Sequence, residues 1–112
     1  NCEEIITSIC KDVLANGLEQ GVCLNVNFPV GQIKGTKVCH QAKAYWEEEF
    51  VEYTTPHGEP YYWLSGTYHC LDDSPHSDYL AMQQSYASIV PMQVDFTAYK
   101  VMEQIKNRFE KC

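Results

Sequence analysis

Apolar and polar positions alternate along residues 22–29, which read VCLNVNFP. In an extended chain, one face of this run carries valine, leucine and phenylalanine, and the other carries a cysteine and two asparagines. Gly21 precedes the run and Pro29 ends it, so the pattern predicts a strand of about seven residues. Its apolar face requires a core. Asn25 and Asn27 are interpreted as hydrogen-bonded amides of the opposite face rather than as ligand contacts.

Three segments have the pattern of helices. Residues 2–16 place their aliphatic side chains on one stripe with a period near 3.6, which predicts a helix packed on a sheet or on another helix. Ser77 is the predicted N-cap of a short helix that ends near residue 84. Residues 98–110 form a second amphipathic stripe, with Thr97 as its predicted cap.

The other apolar segments predict strands. Short strands are expected over residues 36–41 and 86–92. Residues 46–53 and 61–64 mix aromatic and acidic side chains on either side of a Pro-His-Gly turn. This pattern predicts a hairpin that projects and packs on something else, although a helix also fits 46–53. Because a helix, a tight loop and a strand follow one another over residues 2–28, the chain begins like the second half of a βαβ unit.

Charge and composition narrow the class of protein. The formal net charge is −7, and 45% of the residues are hydrophobic, which is typical of a single globular domain. The negative charge argues against nucleic acid and anionic membranes as partners. No apolar run reaches the roughly 18 residues of a membrane helix. The chain starts at Asn1 without a methionine, so we expect a processed chain or a fragment.

The cysteine spacing favours reduced thiols. There is no CxxC pair and no tight cluster of cysteines. A chain of this size can also fold without disulfide bonds. We therefore expect free cysteines and a cytoplasmic location rather than three disulfides. The six cysteines are Cys2, Cys10, Cys23, Cys39, Cys70 and Cys112.

Residues 66–76 are predicted to form a polar loop that is rich in metal-ligand side chains. Their spacing matches no compact zinc or calcium motif, so a solvated loop is the favoured interpretation. A small zinc site remains the alternative, with His69, Cys70 and His76 as its ligands. Cys39 and His40 are neighbours on a predicted strand, point to opposite faces and therefore form no catalytic dyad. The aromatic run over 61–68 indicates an interface more than a surface for stacking bases.

The segments LNVNFP (24–29), IKGTKV (33–38), PYYWLSG (60–66), SDYLA (77–81) and YASIVPMQVDFT (86–97) form a set of motifs along the chain. In order and in register, these segments resemble the carboxy-terminal half of the SurE family, the survival-protein nucleotidases. The resemblance covers nearly the whole chain and thins over residues 43–53 and after residue 106. Three positions depart from the family pattern: Ser85 replaces a usual glycine, Val90 replaces a usual threonine, and His40 lies near a usual arginine.

The resemblance implies an α/β fold. The chain would be the C-terminal part of a SurE-like Rossmann-type three-layer fold, with a projecting β-hairpin and a C-terminal helix. In a single segment spanning 1–112, residues 1–41 would form the last helix and strands of the α/β layer, and residues 42–68 the projecting hairpin. Residues 69–97 would form a loop, a short helix and a strand, and residues 98–112 the final helix.

The resemblance also implies a metal-dependent phosphatase acting on nucleoside 5'- and 3'-monophosphates. The family holds Mg²⁺ or Mn²⁺ through an Asp-Asp-Gly run after its first strand and through Ser and Asn in later loops. All of these lie in the amino-terminal half. Asp72 and Asp73 are followed by Ser74, so the motif is not carried onto them. We therefore expect no catalytic, cofactor-binding or family metal residue in this chain, and no activity of the chain alone.

The expected partner is a second copy of the chain. The family implies a dimer or tetramer built through the hairpin and the last helix, which often swaps between subunits. A stand-alone binding or assembly module without catalysis is the alternative function. The predicted interface residues are Trp46, Phe50, Tyr61, Trp63, Tyr99, Met102 and Phe109.

Overall fold

A computed structural model describes residues 2–110 of the chain, which form helices and two small sheets. Cys112 lies outside the described residues. In chain order the elements are α1 (Cys2–Asn16), β1 (Val22–Asn27), β2 (Thr36–Val38), β3 (Ala44–Thr54), β4 (Pro60–Cys70), α2 (Asp78–Gln83), β5 (Ala87–Gln93) and α3 (Tyr99–Phe109).

The first sheet is mixed and has the strand order β1-β5-β2. The strand β1 runs antiparallel to β5, with Val22 opposite Gln93, and β2 runs parallel to β5, with Thr36 opposite Ala87. The strand predicted at residues 22–28 is therefore confirmed, and within residues 2–110 it lies at an edge of its sheet. Its backbone groups on the far side have no strand to pair with in this part of the chain.

One face of this sheet packs on α2. Ser88 lies opposite Asn27 on one side and opposite Lys37 on the other, so these three side chains share a face. Val90, two residues further along β5, points the same way and packs with Ala81 of α2 in a buried cluster. The polar face of β1 is thus the face toward α2.

The helix α1 lies beside the opposite face. Ile5 and Ile9 line a shallow depression together with Thr36 and Ile89 of the sheet. The predicted helix is confirmed, yet none of its side chains is buried. Ile6 is 47% exposed and Leu14, near the end of the helix, is 86% exposed, so part of the apolar stripe that predicted packing has no cover from residues 2–110.

The second sheet is the hairpin β3-β4, which is longer than predicted. Eleven residues of each strand pair in register, from Ala44 opposite Cys70 to Thr54 opposite Pro60. The prediction of a loop over 66–76 is therefore wrong for residues 66–70. The ladder continues because residues 44–48 of the facing strand supply partners that a local pattern does not reveal. At the tip, Gly58 has φ +86°, and its N–H donates to Thr55 O over 2.9 Å.

The helix α2 is capped at both ends. Ser77 Oγ accepts a hydrogen bond from the Leu80 N–H at 3.3 Å, which confirms the predicted N-cap. After the helix, Ser85 adopts a left-handed conformation with φ +68°. The Tyr86 N–H then reaches back to Ala81 O at 2.9 Å, and the Ser85 N–H to Met82 O at 3.1 Å. This is the Schellman arrangement that usually carries glycine.

The predicted cap of the last helix is wrong. The N-cap residue of α3 is Ala98, which has no side chain that could accept a hydrogen bond. The polar partner of this turn is Asp95, whose Oδ1 accepts from the Thr97 N–H at 2.8 Å and whose Oδ2 accepts from the Tyr99 hydroxyl. Hydrogen bonds from the Thr97 side chain, the Tyr99 hydroxyl and the Thr97 N–H hold the pKa of Asp95 at about 2.

The chain buries little of its surface. Its radius of gyration is 20.5 Å, whereas a compact domain of this length has about 13 Å. The accessible area is 9377 Å², against about 6,300 Å² for a folded monomer of this mass. The buried hydrophobic residues of the described part are Cys39, Ala42, Ala81, Ala87 and Val90. The exposed area is therefore about 3,000 Å² larger than that of a compact monomer of this mass.

The structure bears on the cysteines and on membrane-spanning helices. The five cysteines within residues 2–110 are all free thiols. None of the helices in that part of the chain is long and apolar enough to cross a bilayer.

Candidate functional site

A small cleft opens where the end of β1 and the start of β5 meet α2 and β4. Its volume is ≈ 240 Å³. The polar face of the sheet forms its floor, and the first turn of α2 forms one wall. The lining residues are Asn27, Tyr68, Asp78, Tyr79, Met82 and Ser88.

The hydroxyl of Ser88 lies at the floor of this cleft without a partner. The residue is 0% exposed, and no group within residues 2–110 forms a hydrogen bond with its Oγ. Ser88 shares its sheet face with Asn27, and that face points toward α2, so the side chain is directed into the cleft. Buried hydroxyls are almost always paired, so an orphan of this kind needs an explanation.

Asp78 places a carboxylate at the wall of the cleft. Its Oδ1 accepts hydrogen bonds from the Ala42 N–H at 2.8 Å and from the Tyr79 N–H at 2.7 Å. Both bonds use the same oxygen, so Oδ2 has no protein donor within the described residues. The carboxylate is therefore held in one orientation and retains an oxygen that can accept from a ligand.

Two tyrosines supply phenol groups to the same cleft. The rings of Tyr68 and Tyr79 are 5.2 Å apart between centroids and are tilted by 36°. Burial raises the pKa of Tyr68, and the neighbouring Cys70 thiol and Asp78 carboxylate raise it further. The phenol therefore stays protonated and can donate a hydrogen bond.

A second polar cluster joins the hairpin to the loop before α2. His40 Nε2 lies 3.1 Å from Ser74 Oγ, and His40 Nδ1 lies 3.0 Å from Gln41 O and 3.6 Å from Asp72 Oδ2. Because a carbonyl only accepts, Nδ1 donates to Gln41 O. Backbone N–H groups of Ser74 and Lys43 lower the pKa of Asp72.

This cluster has the residue types of a serine–histidine–acid set. The Ser74 N–H donates to Asp72, position 75 is a proline, and the His76 N–H donates to Ser74 Oγ itself. The N–H groups of Ser74 and His76 are therefore engaged and do not offer hydrogen bonds to an oxyanion at this serine.

The residues of the zinc hypothesis do not converge. His69 lies on β4, where it forms a hydrogen bond with Glu47 at 3.2 Å and stacks on Tyr45 with 5.0 Å between ring centroids. Cys70 follows it on the same strand and points to the other face, toward Asp72 O. Within residues 2–110 no three histidine, cysteine, aspartate or glutamate side chains are grouped to hold a metal ion.

The predicted interface residues are all exposed, by between 41% for Met102 and 75% for Phe109. On the hairpin they divide between two faces. Trp46 lies opposite Tyr68 and Phe50 opposite Leu64, whereas Tyr61 and Trp63 belong to the other face of the ribbon. That these residues form an oligomer interface stays a prediction. It requires that a partner contact both faces of the hairpin.

Comparison with known proteins places this geometry in a family. No family model matches the chain. It is 45% identical over 107 residues to the 5'-nucleotidase SurE of Christiangramia forsetii, which covers 93% of this chain and 41% of that protein. The corresponding protein of Flavobacterium psychrophilum is 44% identical over 105 residues, covering 91% and 41%. This chain belongs to the SurE 5'-nucleotidase family. It spans about two-fifths of the length of these relatives.

The solved SurE protein of Aquifex aeolicus agrees with this assignment. Its crystal structure matches 94% of this chain and 44% of its own length, with 35% identity and a TM-score of 0.66. The resemblance to SurE and the mixed α/β character are thereby confirmed. The cleft itself was missed in the sequence, because its lining residues are distributed over positions 27–88. The one local signal was the polar face of β1, whose Asn27 faces the cleft.

Proposed function

We propose that this chain is the carboxy-terminal part of a metal-dependent phosphatase that hydrolyses nucleoside 5'- and 3'-monophosphates. The observation that carries the proposal is the 45% identity to a 5'-nucleotidase SurE over 93% of the chain. Residues 2–110 contain no group of side chains fit for a divalent cation. The proposal therefore assigns the Mg²⁺ or Mn²⁺ ligands to the part of SurE that this chain does not match.

In this proposal the chain supplies scaffold. The open edge of β1 supports it, because an unpaired strand with an apolar face is suited to a larger sheet. The positions of α1 and α2 on opposite faces support a Rossmann-type three-layer arrangement. The free thiols are compatible with a cytoplasmic location.

The chain also supplies the oligomer surface in this proposal. The hairpin and α3 would pair copies of the protein into a dimer or tetramer. The exposure of the large side chains on these elements argues for it: Trp46, Trp63 and Phe109 are each more than 60% exposed. Exposed aromatic side chains of this kind are enriched at protein–protein interfaces. The same exposed surface favours the alternative function, an assembly module without catalysis.

A chimera tests the phosphatase. It joins the amino-terminal part of the Christiangramia forsetii SurE to this chain in place of its matching segment. We expect phosphate release from adenosine 5'-monophosphate with Mn²⁺, and none from the chain alone. The matched control changes both aspartates of the bacterial Asp-Asp-Gly run to asparagine. A folded but inactive chimera, or release by the chain alone at a normal enzyme rate, contradicts the proposal.

One observation separates the two functions. If the coding sequence upstream of Asn1 contains a strand that ends in Asp-Asp-Gly, the phosphatase is supported. If it does not, the assembly module is supported.

A further inference from the structure

The cleft at the end of β1 has features that the scaffold role does not use. A scaffold element needs its buried hydroxyls paired, yet Ser88 Oγ is buried and unpaired at the floor. It also needs no carboxylate with an unbonded oxygen, yet Asp78, which lines the cleft, has no donor to its Oδ2 within residues 2–110. Two polar groups of the same cleft, Ser88 Oγ and Asp78 Oδ2, therefore have no hydrogen-bond partner within residues 2–110.

We propose that this cleft binds the sugar of a nucleoside through its hydroxyl groups. The inference rests on the proposed nucleotidase function, since it assigns to this chain one part of that substrate. Asp78 Oδ2 would accept from one sugar hydroxyl, and Ser88 Oγ and the Asn27 amide would bond the next.

The chemistry of the lining selects hydroxyl groups. A carboxylate only accepts, so its partner must donate, whereas serine and tyrosine hydroxyls both donate and accept. Adjacent hydroxyls of a sugar satisfy both requirements at once. In dinucleotide-binding folds an acidic side chain likewise accepts from a ribose hydroxyl.

The lining also argues against the phosphate of the same substrate. Among residues 2–110 no lysine or arginine lines the cleft, and the Asp78 carboxylate would repel a phosphate at close range. The volume of ≈ 240 Å³ is below the roughly 300 Å³ at which pockets for whole drug-sized ligands begin. A sugar ring, with the base and phosphate outside, suits this size. The rings of Tyr68 and Tyr79 offer an apolar surface for its carbon face.

A titration of the labelled chain, followed by ¹H–¹⁵N NMR spectra, tests the site. The probes are adenosine and 2',3'-dideoxyadenosine, which lacks the adjacent 2'- and 3'-hydroxyls of the sugar and keeps the 5'-hydroxyl. We expect saturable shifts at the amides of Asn27, Tyr79 and Ser88 with adenosine. The affinity for the dideoxy analogue should be at least tenfold lower, because the polar groups of the cleft are then left unpaired. Equal affinities, or shifts confined to other regions, overturn the inference.

Substitutions assign the contacts. Ser88→Ala removes an oxygen that has no protein partner, so the fold should persist while adenosine affinity falls about tenfold. Ser65→Ala on the hairpin is the matched control and should bind like the parent chain. Asn27→Ala, at an exposed position, is the second variant and should also weaken binding. Parental affinity in both cleft variants refutes the site.

The outcome is separable from that of the phosphatase proposal, because the titration requires neither metal nor hydrolysis. Sugar-dependent binding by this chain together with an inactive chimera refutes the phosphatase alone. If the chimera is active but this chain binds adenosine and 2',3'-dideoxyadenosine with equal affinity, the sugar site alone is refuted. Adenine without its sugar is the remaining probe, and binding as tight as that of adenosine overturns the inference.

Discussion

Asp78 Oδ1 lies 2.8 Å from the backbone nitrogen of Ala42, and this hydrogen bond joins α2 to the base of the hairpin. Ala42 is 9% exposed, so its N–H has little access to water. This connection therefore depends on one acceptor oxygen. Its contribution to the free energy of unfolding can be measured with variants of Asp78.

Asp78→Ala should lower the free energy of unfolding by about 1–3 kcal/mol, because it leaves a buried N–H without an acceptor. Asp78→Asn keeps an acceptor oxygen at the same position and should cost clearly less. Urea unfolding followed by circular dichroism measures both. Equal losses for the two variants would show that the charge, rather than the hydrogen bond, maintains this connection.

Ser85→Gly should stabilise the chain. Ser85 has φ +68° in the Schellman turn after α2, a conformation that costs an L-residue about 1–2 kcal/mol and glycine almost nothing. The gain is offset in part by the greater freedom of glycine in the unfolded chain, so we expect a net 0.5–1 kcal/mol, roughly. Thermal unfolding measures it. Gln83→Gly, two residues earlier inside the helix, is the control and should destabilise the chain.

Gly66→Ala should displace the indole ring of Trp46. A Cβ at Gly66 would lie 2.9 Å from Trp46 Cε3 and 3.3 Å from Glu47 O, so the ring has to move. In a Trp63→Phe background the fluorescence of Trp46 should then change. Ser65→Ala, one position away, should leave it unchanged. An identical spectrum in Gly66→Ala would show that the ring does not rest on this glycine.

The chain should associate in solution through α3 and the hairpin. The helix α3 has an apolar stripe that includes Met102 and Phe109, both exposed. Met102→Glu should reduce the mass measured by light scattering, because it places a charge in that stripe. Glu103→Gln, on the neighbouring polar side, should not. A parent chain with the mass of one copy would contradict the interface assignment.

The turn before α3 should loosen in acid. The pKa of Asp95 is about 2, below the ordinary value near 3.8. A lowered pKa means that the carboxylate contributes stability that is fully present above about pH 4 and is lost as the pH falls through about 2. NMR signals of Thr97 and Tyr99 should titrate with a midpoint near pH 2. In Asp95→Asn this titration should be absent, whereas a midpoint near pH 4 would contradict the hydrogen bonds.

The helix over residues 2–16, the strand that begins at Val22 and the Ser77 cap were all predicted from the sequence. Each depends on neighbours within a few residues, through side-chain period or through a hydrogen bond to a nearby amide. The family followed from whole segments in register. For these features the local chain contains all the information that is needed.

The rest depended on partners far along the chain. The strand β4 runs to Cys70 because residues 44–48 pair with it, and Asp95 rather than Thr97 secures the turn before α3 because its side chain reaches Tyr99. The cleft arises only where Asn27, Asp78 and Ser88 meet. Sequence by itself determined the elements and the family. Tertiary structure decided how far the hairpin extends and which polar groups share a cavity, because both depend on contacts between residues distant in the chain.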